Sequence, residues 1–425
     1  MMKLFKRTRN YIKDVFLKCL LWIMQNVWTN YYFMMFMKYL CHFPSLERGV
    51  KRLVNWVNSY VEDHIIYFNK ERRIAFVVEA DNAIGYSLCK KLVKKNYHVI
   101  LGVKDIRQGV IIKSRLLKMR SYASVSIVAI DMTNPVSVLF AADSLLQRYK
   151  SLDVLYLNYS IINIDHLNWD VLKDAFRSFR LSYFCTTGRT SETGKNFVAV
   201  KGSGMTELGF NRDFCEQVLN PFILAIKLSP LLKEATLPGR IVWTGSSTCS
   251  AACFSFDDAQ HISDADSFYS HKYFVHLLQP ALNQYLSSSG VQSFEGCPGV
   301  IITGCSPEVI RRFTWLIRIV GWFIPTIQVH ASKGSRTLLH LGTHRRQYAK
   351  LCPNHMYTIR RRIFGLQQCR YVKDVSIGES IRVFDYLMDL YKRLERSDTL
   401  IDGMCEEVRN FSDINTVKRN RRQSM

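Results

Sequence analysis

The chain has 425 residues, a formal charge of +23 and an apolar fraction of 48% that includes 12% aromatics. That much apolar material builds a core and excludes a disordered chain, and the length suits one large α/β domain with appendages or two domains. The charge raises nucleic acid as a partner, but no zinc-finger spacing, RNA-binding signature or helix-turn-helix accompanies it, so no nucleic-acid partner is expected.

In chain order, the basic residues come first. Residues 1–70 hold eleven Lys/Arg against four Asp/Glu. Among them Cys19 to Met37 runs for 19 residues without a charge, rich in Met, Trp, Tyr and Phe. That is about the length of a helix that crosses a bilayer. Gln25, Asn26, Thr29 and Asn30 are costly in hydrocarbon, so an interfacial anchor and a buried helix stay open beside a spanning one. Lys3, Lys6, Arg7, Arg9, Lys13 and Lys18 precede the run and place its N-terminus in the cytoplasm if it spans. No small-residue cleavage site follows it, which argues against a signal peptide. The expectation for residues 1–71 is a membrane-associated helical segment, with an anionic membrane surface as partner.

From residue 72 strands and helices alternate. Ile74 to Ala80 reads as a buried strand, and Ile84, Leu88 and Leu92 fall at i, i+4, i+8, the stripe of a helix packed on a sheet. Further strands are expected at His98–Lys104, Val125–Asp131, Val154–Ser160, Arg240–Ser246 and Val291–Gly299. A helix over Pro135–Lys150 carries Val138, Ala141 and Leu145 on one face. Residues 186–210, rich in Gly, Ser and Thr, read as an inserted loop. Ile319–Val329 is too short to span and reads as a substrate lid or a second membrane-surface contact. An amphipathic helix is expected over 378–396, ahead of a basic tail ending Lys418, Arg419, Arg421, Arg422. The fold class is α/β, a doubly wound parallel sheet of Rossmann type over residues 72–345, with a C-terminal helical extension over 346–425.

The twelve cysteines form no CxxC pair, and a reduced thiol in a strand or helix behaves as a small apolar residue. Cys352 and His355 make a lone CxxH with no second half-site, so no metal site is expected.

Four fragments, in this order and spacing, carry a resemblance. They are Ile84-Gly85-Tyr86-Ser87-Leu88-Cys89-Lys90, Leu152-Asp153-Val154-Leu155-Tyr156-Leu157-Asn158, Ile241-Val242-Trp243-Thr244-Gly245-Ser246, and Cys297-Pro298-Gly299 followed by Thr303. Over about Arg73 to Arg396 the chain resembles the short-chain dehydrogenase/reductase family, most closely its 3-keto-steroid reductase branch, which includes 17β-hydroxysteroid dehydrogenases. The resemblance implies NADPH at the carboxyl ends of the strands, hydride transfer to a steroid or sterol carbonyl, and a cytosol-facing domain at the endoplasmic reticulum.

It also implies site residues. Ser246 matches the serine that bonds the substrate oxygen, and Lys272 the lysine that holds the nicotinamide ribose and lowers the phenol pKa. The tyrosine general acid is replaced by Phe268, and the relay asparagine by Gln217. Tyr269 is the candidate substitute donor, being i, i+3 to Lys272. Thr303 keeps the hydroxyl used near the carboxamide. On the cofactor side, Ile84 and Gly85 belong to the turn, Lys104 lies where a basic residue meets a 2′-phosphate, Asp131 is kept, and Asn158 opens the motif after the fourth strand. Glu79 replaces a glycine beside the pyrophosphate. A carboxylate about 4 Å from a phosphate charge costs roughly 4 kcal/mol at an effective dielectric near 20. Tyr159 adds a ring on the adenosine side, and Pro280 falls inside the helix that carries Lys272, at roughly 3 kcal/mol.

Two functions are therefore expected to compete. One is a diverged, catalytically impaired NADP(H)-linked sterol or steroid ketoreductase at a membrane surface. The other is a non-catalytic lipid-binding or scaffolding protein on the same frame, with other lipid-metabolism enzymes as partners.

Overall fold

The computed structural model describes residues 72–120, 122–159, 164–167, 198–200, 204–246, 249, 251–262, 267–299, 330–343, 351–352, 355–362, 365–372 and 375–396. The segment expected to associate with a membrane, Thr303, the stretch 319–329 and the basic tail lie outside these residues. Among the described residues no helix is long and apolar enough to cross a membrane.

The chain runs β1 (Ile74–Val77), α1 (Ala83–Lys94), β2 (His98–Val103), α2 (Ile106–Met119), β3 (Ser124–Ala129), α3 (Pro135–Arg148) and β4 (Val154–Leu157). Two short antiparallel strands follow, β5 (Ile164–Leu167) and β6 (Val198–Val200), the second inside the stretch expected to be a loop. Then come α4 (Arg212–Phe214), a π-helical turn (Cys215–Leu219), α5 (Asn220–Lys227), α6 (Ser229–Lys233), β7 (Arg240–Thr244), α7 (Ser267–Leu286) and β8 (Gln292–Cys297). The last described elements are α8 (Ala331–Thr343), β9 (His355–Arg362), β10 (Gly365–Val372) and α9 (Ile377–Arg396).

The strands form one eight-stranded sheet in the order β10-β9-β8-β7-β4-β1-β2-β3. Seven of them pair in parallel, and β10 alone runs antiparallel to β9. This is the Rossmann-type sheet expected from the sequence. Strands β4 and β7 are buried at every position, as they must be with helices on both faces. Alternate residues divide between the two cores: Leu155, Leu157 and Trp243 face α3, α5, α7 and α9, while Tyr156 and Val242 face α1 and α8. The turn from β1 to α1 and the ends of β4, β7 and β8 consequently open on one edge, where a doubly wound sheet binds ligands.

The C-terminal part differs from expectation. It was read as helical after residue 345, yet β9 and β10 extend the sheet there before α9 begins. Their sequences, HMYTIRRR and GLQQCRYV, lack strict apolar alternation, so the period-two signal of a strand is absent.

Helix α9 has a further job. Pro280 stands inside α7, and there the Ala281 amide donates to Ser380 Oγ of α9 at 2.9 Å. A hydroxyl from a neighbouring helix thus meets an amide beside the proline break. Ser380 is fully buried. We expect Ser380→Ala to cost about 1 to 2 kcal/mol by stranding that amide, read as a lower denaturant midpoint with an unchanged m-value.

Candidate functional site

The turn after β1 is the first wall of the site. Val78 N–H donates to Tyr156 O at 3.0 Å and Ala80 N–H to Gly102 O at 3.0 Å, so the turn hangs between its two neighbouring strands. Asn82 caps α1, its Oδ1 accepting the Gly85 amide at 2.7 Å, and its side-chain amide donates to Glu79 Oε2 at 3.0 Å. Gly85 is required here, since a Cβ would lie 2.3 Å from Glu79 O. Ile84, 2% exposed, packs into the α1-side core and supports the turn from behind.

Glu79 takes φ +49°, a left-handed conformation suited to the glycine that it replaces. Burial, together with the carboxyl of Glu216, pushes its pKa up to about 8, while the Asn82 hydrogen bond works the other way. The sequence expectation is a charged, phosphate-repelling carboxylate; enclosure in this turn works against that charge. Near neutral pH the group is mostly protonated, because the surrounding protein disfavours its charge.

Asn158 is 2% exposed and ties β4 to the turn, donating from Nδ2 to Asn82 Oδ1 at 3.1 Å and to Glu79 O at 3.3 Å. Lys104 ends β2 on the surface and pairs with Asp131 at 2.7 Å. Burial alone would raise the Asp131 pKa, but hydrogen bonds from Lys104 and Thr133 hold it below the ordinary value.

Lys272 is the centre of the second wall. It is 2% exposed, and its ammonium donates to Thr244 O at 2.8 Å, two residues before the half-buried Ser246. The ammonium also lies 5.1 Å from the Tyr159 ring and 5.5 Å from the Phe268 ring. Phe268, Tyr269 and Tyr159 form a small separate apolar cluster, with the rings of Phe268 and Tyr269 5.5 Å apart edge to face. Phe268 thus touches the lysine where a phenol would be needed, and Tyr269 belongs to the same cluster. His271 is fully buried and bonds Gln260 O at 3.0 Å; burial drops its pKa to about 4, so it stays neutral.

Gln217 sits in the π-helical turn, 3% exposed, with no hydrogen-bond partner for its Oε1 among the described residues. Two groups that the sequence reading did not single out complete the cleft. Glu216, half-buried in the same turn, hydrogen-bonds Tyr159, and burial with the nearby Asp213 carboxyl raises it to about 7. Burial and then Glu216 push the Tyr159 phenol well above its ordinary pKa. The other is Glu295, fully buried on β8 beneath Gly245. A glutamate in the middle of the expected strand Val291–Gly299 was the visible signal for it.

Taken together these features define a class: a Rossmann-type α/β protein with a Ser–Lys pair at the carboxyl end of its sheet. No protein-family model matches the chain. It is 28% identical over 277 residues to the 3-keto-steroid reductase/17-beta-hydroxysteroid dehydrogenase 7 of Rattus norvegicus, covering 64% of this chain and 81% of that protein. The Homo sapiens protein of that name is 29% identical over 248 residues, 58% of this chain and 71% of its own length. The 3-keto-steroid reductase of Candida glabrata is 23% identical over 283 residues, 60% and 75% of the two chains. The chain is thus a relative of the 3-keto-steroid reductase branch of the short-chain dehydrogenase/reductase family, as its motifs implied.

Proposed function

We propose that the chain is a diverged NADP(H)-linked ketoreductase-like protein that takes a sterol or steroid-like ketone, with turnover impaired at the proton-donating step. The observation that carries this is the convergence of Lys272 on the strand end that bears Ser246, with Phe268 in contact where the donor should be. The names of the relatives support the substrate class.

The residues present fit the cofactor. An orphaned, buried Asn158 Oδ1 lies beside the turn, Gly85 keeps the turn close, and Glu79 near neutral pH presents a protonated carboxyl rather than a charge. Lys104 would meet a 2′-phosphate by exchanging its contact with Asp131, and Lys272 would hold the ribose, with Thr303 proposed near the carboxamide. NADPH, when bound, supplies the hydride. For this chain's own part, Ser246 orients the ketone oxygen by a hydrogen bond, and the buried ammonium of Lys272 stabilises negative charge developing there. The basic, apolar residues 1–71 support attachment to a membrane such as the endoplasmic reticulum, where other lipid-metabolism enzymes would be its neighbours.

The test is an NADPH titration of the full chain, followed by tryptophan quenching, and then assay with a 3-keto sterol. We expect saturable binding that Lys272→Met weakens at least tenfold, and slow turnover. No binding at millimolar NADPH would overturn the reductase reading. Sterol binding without NADPH binding would then leave the non-catalytic reading, for which the apolar cluster of Phe268, Tyr269 and Tyr159 provides the lining.

A further inference from the structure

The inner face of α7 is polar where a helix on a sheet is ordinarily apolar. Lys272, His276, Gln279 and Asn283 follow at spacings of four, three and four residues, one stripe along the helix. Each reaches the sheet. Lys272 Nζ bonds Thr244 O at 2.8 Å, and His276 Nδ1 meets Glu295 Oε2 at 2.9 Å. Gln279 Oε1 accepts from Ser293 Oγ at 2.7 Å, and Asn283 clasps the Ser293 backbone, accepting from N at 2.7 Å and donating to O at 2.9 Å. Ser293 and Glu295 are alternate residues of β8 and point to the same side.

Glu295 needs a reason. Its side chain is 0% exposed and His276's is 11% exposed, so this is a carboxyl taken wholly out of water with an imidazole as partner. Such groups are costly unless paired, and an apolar side chain would pack the site more cheaply. The carboxyl presses on the backbone of Gly245, between the residue that receives Lys272 and Ser246; a Cβ at Gly245 would lie 2.2 Å from Glu295 Oε1. On the other face of the sheet Gly296 lies against apolar atoms of Leu338, Leu341 and Thr337 of α8.

We infer that Glu295, held by His276, is a positioning residue for Lys272: it keeps the lysine ammonium charged and anchored on the strand end that carries Ser246. This rests on the reading of the cleft given above. The groups that face Lys272 are Glu79 from the β1–α1 turn, Tyr159 after β4, Cys249 after β7, Glu295 and Cys297 from β8, and His271 on its own helix. Burial draws the lysine down to about 8, and of the charges opposing that fall Glu295 is the largest.

The role can be read without any cofactor. In the full chain labelled with 13Cε-lysine, the Lys272 resonance is identified by its loss in Lys272→Arg and followed from pH 6 to pH 10. Glu295→Gln should lower the Lys272 midpoint by on the order of one pH unit, because an opposing charge has been removed. Glu295→Asp, which keeps the charge, should restore the wild-type midpoint. His276→Leu should also lower it, since the contact that holds the Glu295 carboxyl in place beside the strand end is lost. A purely structural Glu295 would lower the melting temperature and leave the Lys272 midpoint in place, and that result in Glu295→Gln overturns the proposal. Should Glu295→Gln fail to fold, an unchanged midpoint in His276→Leu does the same. Failure of NADPH to bind would count against the reductase reading alone, because these titrations need no ligand.

Discussion

Phe268→Tyr raises ketone reduction by about 10²- to 10⁴-fold, the usual worth of a positioned general acid. The expectation follows from where the ring lies. Phe268 is 6% exposed on the first turn of α7, and its ring is 5.5 Å from the Lys272 ammonium. A para hydroxyl would enter the field of that cation, which favours the phenolate and brings the phenol pKa down towards working pH. Ser246 already stands at the end of β7 to orient the ketone. Steady-state turnover of a 3-keto sterol with saturating NADPH is the measurement. A single substitution that gives no gain would show that the cleft has lost more than its donor. If the unsubstituted protein turns over measurably and Tyr269→Phe abolishes that rate, Tyr269 is the proton source, and Phe268→Tyr should add much less.

The second large effect is on cofactor affinity, and it depends on pH. Glu79 is neutral while protonated, so below pH 8 it offers a carboxylic acid to a diphosphate, and above that value a carboxylate. A full charge about 4 Å from a phosphate costs roughly 4 kcal/mol at an effective dielectric near 20, close to a thousandfold in affinity. NADPH binding should therefore weaken between pH 7 and pH 9.5 by up to about thirtyfold, the limit that loss of a single proton from a group titrating near 8 allows. Glu79→Gln, neutral throughout, should remove most of that dependence, leaving the smaller loss that comes as Lys272 itself deprotonates. The same group fixes the sign of a stability effect. Its folded pKa of about 8 exceeds the ordinary 4.5, so the native state holds the extra proton between those values. Stability contributed by Glu79 is present at low pH and is lost as pH rises from about 4.5 to about 8, and Glu79→Gln should flatten that slope in pH-dependent thermal melts. A pH-independent NADPH affinity in the unsubstituted protein would contradict the protonated carboxyl.

Much of this fold could be read from one chain because its central strands are buried on both faces. Runs such as Ile74–Val77 and Val154–Leu157 have to be apolar, and the helices between them show their stripes. The expected strands ran one to three residues too long at their carboxyl ends, where the backbone turns into the cleft. The β9–β10 hairpin was invisible because neither of its sequences carries a period-two apolar pattern. In the site, Ser246, Lys272 and Phe268 were assigned by motif; Lys272 lies against the Phe268 ring and bonds Thr244 O, two residues before Ser246. The upward push on the Glu79 pKa was not legible in the sequence, since it depends on enclosure and on Glu216, a neighbour 137 positions away in the chain. The Glu295–His276 pair was equally hidden: His276 looked like any solitary histidine until β8 supplied its partner.

Pro280 and Ser380 also constrain the order in which this chain could have changed. They lie 100 positions apart in sequence, yet one breaks a helix and the other tends the amide beside the break. A proline arriving before the hydroxyl would have carried its full penalty in a helix that presents Lys272. With α9 docked and Ser380 buried, the amide next to the proline has an acceptor from outside its own helix. Once it is fixed, the serine can no longer be exchanged at small cost. The C-terminal helix is in this sense a splint: an appendage that supports the helix of the site at its proline.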